Sequence, residues 1–215
     1  MVGEGRPGAL VADVLWARHG QNLANLTHTF SHRVFDGDLT DLGRRQAQDL
    51  AERLAAPGGD PVGRLVCSPL RRARQTADIV GLRLGLPVVM ELDELREVNV
   101  GDLDGRSDAR AWETYAAVLA AWRAGDNRAR FPGGENCDEL CARLRRALTA
   151  VARGAVGEGR SLLVAHGASL RAALPGLTGG PDPGVDLPTG GVAALRVGRS
   201  GFPVELVSWA GAATG

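Results

Sequence analysis

Short apolar runs rich in valine and leucine alternate along this chain with longer stretches whose apolar positions recur at helical spacing. That alternation builds a sheet with helices on its faces. Strands are predicted at 14–17, 65–67, 88–91, 162–165, 192–197 and 204–209, and helices at about 41–56, 69–84, 107–124, 135–152 and 169–177. Two helix starts have a local cause. Ser68 suits an N-cap with Pro69 at the first helical position, and Thr40 or Asp41 caps the helix before it. The Gly- and Pro-rich stretch 175–191 has the composition of a surface loop ahead of the last two strands. No internal repeat or long linker divides the chain, so one α/β domain over 1–215 is expected, with flexible ends at about 1–9 and 210–215.

Composition narrows the chemistry. The 25 basic residues balance 25 acidic ones, and no long run of one sign offers a footprint for nucleic acid or an anionic membrane. All 25 basic residues are arginine. The absence of lysine excludes Schiff-base enzymes, a pyridoxal-phosphate anchor, and the phosphate-binding lysines of P-loop NTPases and kinases. The apolar stretch 9–12 is interrupted by Asp13, and nothing elsewhere approaches the roughly 18 apolar residues of a membrane span, so a cytoplasmic protein is expected. Cys67, Cys137 and Cys141 are odd in number, and no histidine lies near the last two. Reduced, packed thiols are expected rather than a zinc site.

Two of the four histidines occupy the same place in the pattern. His19 follows the strand at 14–17, His166 follows the strand at 162–165, and each precedes a glycine, Gly20 or Gly167. Ligands of open α/β sheets bind at the carboxyl ends of strands, so the two imidazoles are expected to share one site. Arg18 precedes the first histidine, and Ser68, Arg71, Arg72 and Arg74 follow a third strand to the same edge. Guanidinium groups there suit a phosphoryl dianion, which they bind bidentately without losing charge. Taken singly, each residue also has a plain structural explanation: packed histidines, a solvated arginine face, and for Glu97 an ordinary place in the acidic run Glu91, Asp93, Glu94 and Glu97.

Five ordered segments carry a resemblance. They are Arg18-His19-Gly20 with Asn25; Leu39-Thr40-Asp41-Leu42-Gly43 with Gln46-Ala47; the run 67–77 containing Ser68, Leu70, Arg72-Ala73 and Thr76-Ala77; Leu95-Arg96-Glu97-Val98 with Gly101 and Gly105; and Val164-Ala165-His166-Gly167. Over about 14–197 the chain resembles the histidine phosphatase (phosphoglycerate mutase-like) superfamily. The resemblance implies a three-layer sandwich with a mostly parallel central sheet, a phosphoglycerate mutase-like fold with a cap region at about 107–131. It implies that His19 takes the phosphoryl group as phosphohistidine, that Arg18, Arg72 and His166 bind its oxygens, and that Glu97 is the general acid. Asn25, Gly167 and Gln21 would complete the substrate contacts. No metal or cofactor is called for, the partner is a small-molecule phosphate ester, and the protein is expected to be a monomer or homodimer.

Departures from the family pattern refine this picture. Ala168 stands where the acid-phosphatase branch has its proton-donating aspartate, which leaves that role to Glu97, and Thr189 stands where asparagine is common. Substrate selection should fall to 26–38, with His28, His32 and Arg33, and to 107–130, where Trp112, Tyr115, Leu119 and Trp122 share a helical face suited to core packing or to a substrate platform. The expected activity is metal-independent hydrolysis of phosphate monoesters. A phosphoglycerate mutase is the alternative, although the 69 positions from Glu97 to His166 leave little room for its customary insert. A non-catalytic phosphate-ester-binding module is the further alternative.

Overall fold

The structure, a computed structural model, describes residues 11–154, 159–198, 200–210 and 212–213. Seven strands form one sheet in the order β3-β2-β4-β1-β5-β6-β7: β1 (Val11–Arg18), β2 (Val62–Cys67), β3 (Val88–Glu91), β4 (Arg160–Ala165), β5 (Val192–Gly198), β6 (Val204–Trp209) and β7 (Ala212–Ala213). The four strands from β3 to β1 run parallel, and β5, β6 and β7 continue the sheet antiparallel. The expected flexible stretch at 1–9 lies outside the described residues. At the other end Ala212–Ala213 pair with β6, where fraying was anticipated.

Strand periodicity sorts the side chains into two cores. Along β1, Leu15 and Ala17 pack toward α2 (Asp41–Ala55) and α3 (Arg71–Leu84), while Val14 and Trp16 pack toward α5 (Cys137–Gly154) and α6 (Gly167–Thr178). The result is the expected three-layer sandwich. A short helix, α1 (Leu23–Thr27), follows β1, and α4 (Ala109–Arg123) adds Ala111, Val118 and Trp122 to the α5–α6 side. Cys67, Cys137 and Cys141 are buried, unpaired thiols.

Helix starts depart from the sequence expectation where a capping side chain has a stronger partner elsewhere. Ser68 and Pro69 stay outside α3, whose cap residue Leu70 has no side-chain bond; the Ser68 hydroxyl faces His166, and the Asp36 carboxylate receives the Arg71 N–H instead. Asp108 rather than Ser107 opens the α4 turn, accepting from the Ala111 N–H. Glu135 lies ahead of α5 because Arg143 engages its carboxylate. Helix α6 starts at Gly167 and runs to Thr178, so the expected loop loses its first residues, and Leu187 within the remainder is buried in the core.

The loop after β1 is pressed directly against α2. A Cβ on Gly20 would collide with the carbonyl oxygen of Gly43, and one on Gly43 with that of Gln21. Two glycines thus allow a backbone contact that any larger residue would prise open, and they seat the segment that follows His19.

Candidate active site

Strand register assembles the site. Arg18 pairs with Ala165 across β1 and β4, and Cys67 with Val164 across β2 and β4, so the residues that follow emerge side by side. The His19 N–H donates to the Ala165 carbonyl at 3.0 Å and the Ser68 N–H to the Val164 carbonyl at 2.9 Å. The imidazoles of His19 and His166, distant in sequence, lie 5.2 Å apart between ring centroids.

Their hydrogen bonds define their tautomers, because a guanidinium has only donors. Arg72 Nε donates to His19 Nε2 at 2.9 Å, so that nitrogen carries the lone pair, and His19 Nδ1 donates its proton to the Gly20 carbonyl at 2.7 Å. Arg72 also donates to His166 Nδ1 at 3.2 Å, which leaves His166 Nε2–H to donate to Ser68 Oγ at 2.8 Å. Burial, reinforced by Arg72 and Arg18, holds His19 well below its ordinary pKa of 6.5; burial and Arg72 do the same for His166. Burial also pulls Arg72 down to about 10, which still leaves it protonated at neutral pH.

A pH effect on stability follows. Above pH 6.5 these histidines are neutral whether the chain is folded or not; below it the unfolded chain takes up protons that the native sites refuse. Stability should therefore decline as pH falls from 6.5, by up to about 1.4 kcal/mol per pH unit for each histidine until the native site itself titrates. Thermal melts in steps from neutral pH to about pH 5 should show this decline, and a flatter one in His19→Asn. An unchanged Tm over that range in the wild type would contradict the buried neutral assignment.

A cavity of about 130 Å³ opens beside His19, walled by Arg18, Asn25, Ser31, Arg72 and Glu97. Arg18 NH1 donates to the Leu187 carbonyl at 2.6 Å, while its Nε is buried without an acceptor among the described residues. An orphaned donor of that kind costs about 1–3 kcal/mol, which an anionic ligand would offset. Gly167 lets Arg18 pass, since a Cβ there would stand 2.8 Å from the arginine Cδ. Glu97 Oε1 accepts from the Val98 N–H at 2.9 Å and from the Ser169 N–H at the start of α6 at 2.7 Å. Its Oε2 makes no hydrogen bond among the described residues and is the oxygen left for chemistry.

Not every expected residue reaches the cavity wall. Asn25 does, with Oδ1 engaged by the Asn22 N–H at 3.0 Å. His166 is fully buried behind Arg72 and off the wall. Gln21, expected at the substrate, instead accepts from the Thr40 hydroxyl at 2.9 Å and lies outside the wall, because the contact of its loop with α2 turns it away. Gly167 contacts Arg18 and faces a neighbouring groove. His28 and Arg33 are exposed, whereas buried His32 bonds the Glu97 carbonyl through Nδ1 at 2.9 Å.

Three supports escaped the sequence reading. Ser31 accepts from Arg72 NH1 at 2.9 Å through its hydroxyl and from NH2 at 2.9 Å through its carbonyl. The Asp104 carboxylate accepts the N–H groups of His32, Arg33 and Val34, holding the loop that carries Ser31. Arg143, clasped by Glu135 at 2.7 Å, donates to the carbonyls of Arg96 at 2.8 Å and Glu97 at 3.0 Å and so steadies the backbone at Glu97. Glu135 closes the run Pro132-Gly133-Gly134-Glu135 ahead of α5, and its partner Arg143 lies within that helix.

Among the described residues no three His, Cys, Asp or Glu side chains gather as metal ligands, and no helix is long and apolar enough to cross a membrane. Strand β1, helix α3 and the loop carrying Glu97 bring a neutral histidine, two arginines and a carboxyl group to one cavity, an arrangement suited to phosphoryl transfer on an α/β fold. Residues 14–210 match the histidine phosphatase superfamily (branch 1), and the chain belongs to that superfamily. It is 32% identical over 163 residues to a metal-independent phosphoserine phosphatase of Arabidopsis thaliana, spanning 75% of this chain and 67% of that one. It is 34% identical over 172 residues to the probable phosphoglycerate mutase GpmB of Yersinia enterocolitica, spanning 78% and 75%. Among solved structures, the mycobacterial glucosyl-3-phosphoglycerate phosphatase superimposes with a TM-score of 0.74 at 27% identity, covering 94% of this chain and all of that one.

Proposed function

We propose that the protein hydrolyses small-molecule phosphate monoesters without a metal, through a phosphohistidine at His19. The observation that carries this is the unprotonated His19 Nε2 beside a cavity walled by Arg18, Arg72 and Glu97. Phosphoryl oxygens are stronger acceptors than a neutral imidazole, so a bound ester draws the Arg72 donor away and frees the lone pair. Nε2 then attacks phosphorus in line, the P–O ester bond breaks, and Glu97 Oε2 gives its proton to the departing oxygen. The carboxylate so formed takes a proton from water, whose oxygen attacks phosphorus. The P–N bond breaks, and inorganic phosphate and neutral His19 are released.

Arg18 and Arg72 stabilise the equatorial charge in both steps as preorganised donors, with His166 holding Arg72 in place from behind. The whole chain works as one domain, with 107–131 covering the site. The likeness to a probable phosphoglycerate mutase supports a second reading, in which the phosphohistidine returns its group to another hydroxyl.

The test is phosphate release from p-nitrophenyl phosphate and a panel of metabolite phosphates, with a mutase readout on 3-phosphoglycerate. Steady release, undiminished by EDTA, is the expected result. Loss of activity on chelation with recovery on adding a divalent ion would overturn the metal-independent assignment. Interconversion of phosphoglycerates without net phosphate release would move the function to the mutase.

A further inference from the structure

Next to the catalytic cavity lies a second, larger space of about 950 Å³ between α4 and α6. The two share Arg18, Trp112, Tyr115 and Ala168, so the larger space adjoins the phosphoryl cavity at these residues, on the side where a leaving group at His19 would lie. The groove's walls are mainly apolar: Leu119 and the rings of α4 on one side, Ala172 and Pro175 of α6 on the other. The aromatic face noted in the sequence thus serves both purposes. Trp122 is buried in the core, while Trp112 keeps 39% of its surface exposed, its ring tilted against Phe30 at 4.4 Å between centroids and its indole N–H on the His28 carbonyl.

The charges at the far end cancel. Arg171 pairs with Asp182 at 3.0 Å and Asp186 at 2.6 Å, and Arg123 pairs with Asp182 at 3.2 Å. Two cations and two carboxylates leave no net charge at this end, so a second phosphate or a carboxylate would meet Asp182 and Asp186 beside the arginines it approaches. A cationic group would meet the mirror-image obstacle. Arg18, the remaining cation among the groove's described lining residues, faces the phosphoryl cavity as well.

We propose that this groove seats the leaving group of the substrate, and that the group is a bulky, ring-bearing alcohol without net charge. The inference rests on the phosphatase function proposed above. Size and polarity agree, since apolar clefts of roughly 300–1,000 Å³ enclose ligands well beyond a three-carbon acid. Flat rings suit the Trp112 and Tyr115 faces, and the mostly exposed carboxylate of Asp186 keeps lone pairs for hydroxyl groups on such a ligand.

Three esters of primary alcohols separate size from charge at matched leaving-group reactivity: ethyl phosphate, naphthylethyl phosphate and its carboxylated analogue. Wild-type kcat/KM should favour naphthylethyl phosphate over each of the other two by at least about tenfold, as expected for burying a ring and for excluding an unpaired charge. Ala116→Trp, an exposed α4 position at the groove, should reduce the naphthylethyl-to-ethyl ratio to within about threefold of unity. Equal rates on the three esters, preference for the carboxylated one, or a ratio indifferent to Ala116→Trp would each overturn the groove assignment while leaving the phosphatase intact. Failure to release phosphate from any ester would instead remove the phosphatase, and this inference with it.

Discussion

Replacing His19 by alanine is expected to lower kcat by on the order of 10⁵-fold or more, because the variant loses the proposed nucleophile and falls back on direct attack by water. His166 offers no substitute, since it is buried behind Arg72 with its Nε2 committed to Ser68. The fold should persist. Among the described residues the His19 imidazole makes hydrogen bonds only with Arg72 and the Gly20 carbonyl, and Arg72 keeps its Ser31 contacts. Arg18 and Arg72 still offer donors to phosphate, so inhibition of refolding or loss of binding is not the expected cause of inactivity. Phosphate release, circular dichroism and mass spectrometry after an alkaline quench test the three parts together. The wild type should carry one phosphoryl group on His19 during turnover. A folded His19→Ala protein retaining more than about one percent of wild-type turnover would exclude the phosphohistidine route.

Glu97→Gln separates the two proton transfers. The amide oxygen can keep both backbone contacts of Oε1, with Val98 and Ser169, so the local structure is preserved while the exchangeable proton is lost. On an alkyl phosphate, whose departing alkoxide needs that proton, kcat should fall by about 10²- to 10⁴-fold. With p-nitrophenyl phosphate the leaving group departs unaided, so formation of phosphohistidine should be spared and its hydrolysis slowed. Stopped-flow absorbance should then show a burst of about one p-nitrophenol per site followed by slow release, the signature of an accumulating covalent intermediate. Wild-type turnover of alkyl esters by the variant would place the acid elsewhere. Unchanged turnover of p-nitrophenyl phosphate, without a burst, would restrict Glu97 to the first step.

Much of the architecture was legible because it follows from local chemistry. Alternating apolar residues in β1 and helical periodicity in α2 and α5 reflect which faces must be buried, and all six anticipated strands are present. Helix starts were read less well, because a cap is a competition. Ser68 is a good N-cap by composition, but its hydroxyl divides between the Leu70 N–H at 3.3 Å and His166 at 2.8 Å, brought beside it by strand pairing, and the helix begins only at Arg71. In the site, His19, Arg18 and Glu97 were visible through strand-end position and ordered motifs, whereas Ser31, Asp104 and Arg143 act across long sequence separations and leave no local pattern.

The sequence by itself determined the layer order, the superfamily resemblance and the kinds of side chain available, including the exclusion of all lysine chemistry. The resemblance singled out Arg72 among three neighbouring arginines on α3, and only the tertiary structure decided how it reaches the histidines. Arg72 is turned inward and almost wholly buried, while Arg71 and Arg74 turn out to Asp38 and Glu91. It likewise took Gln21 away from the substrate and neutralised Arg123 and Arg171 with acids from the loop after α6. The physical reason is common to these cases. Periodicity records which side of an element is buried, but hydrogen bonds and ion pairs depend on ångström-scale distances between segments that meet only when the chain is folded.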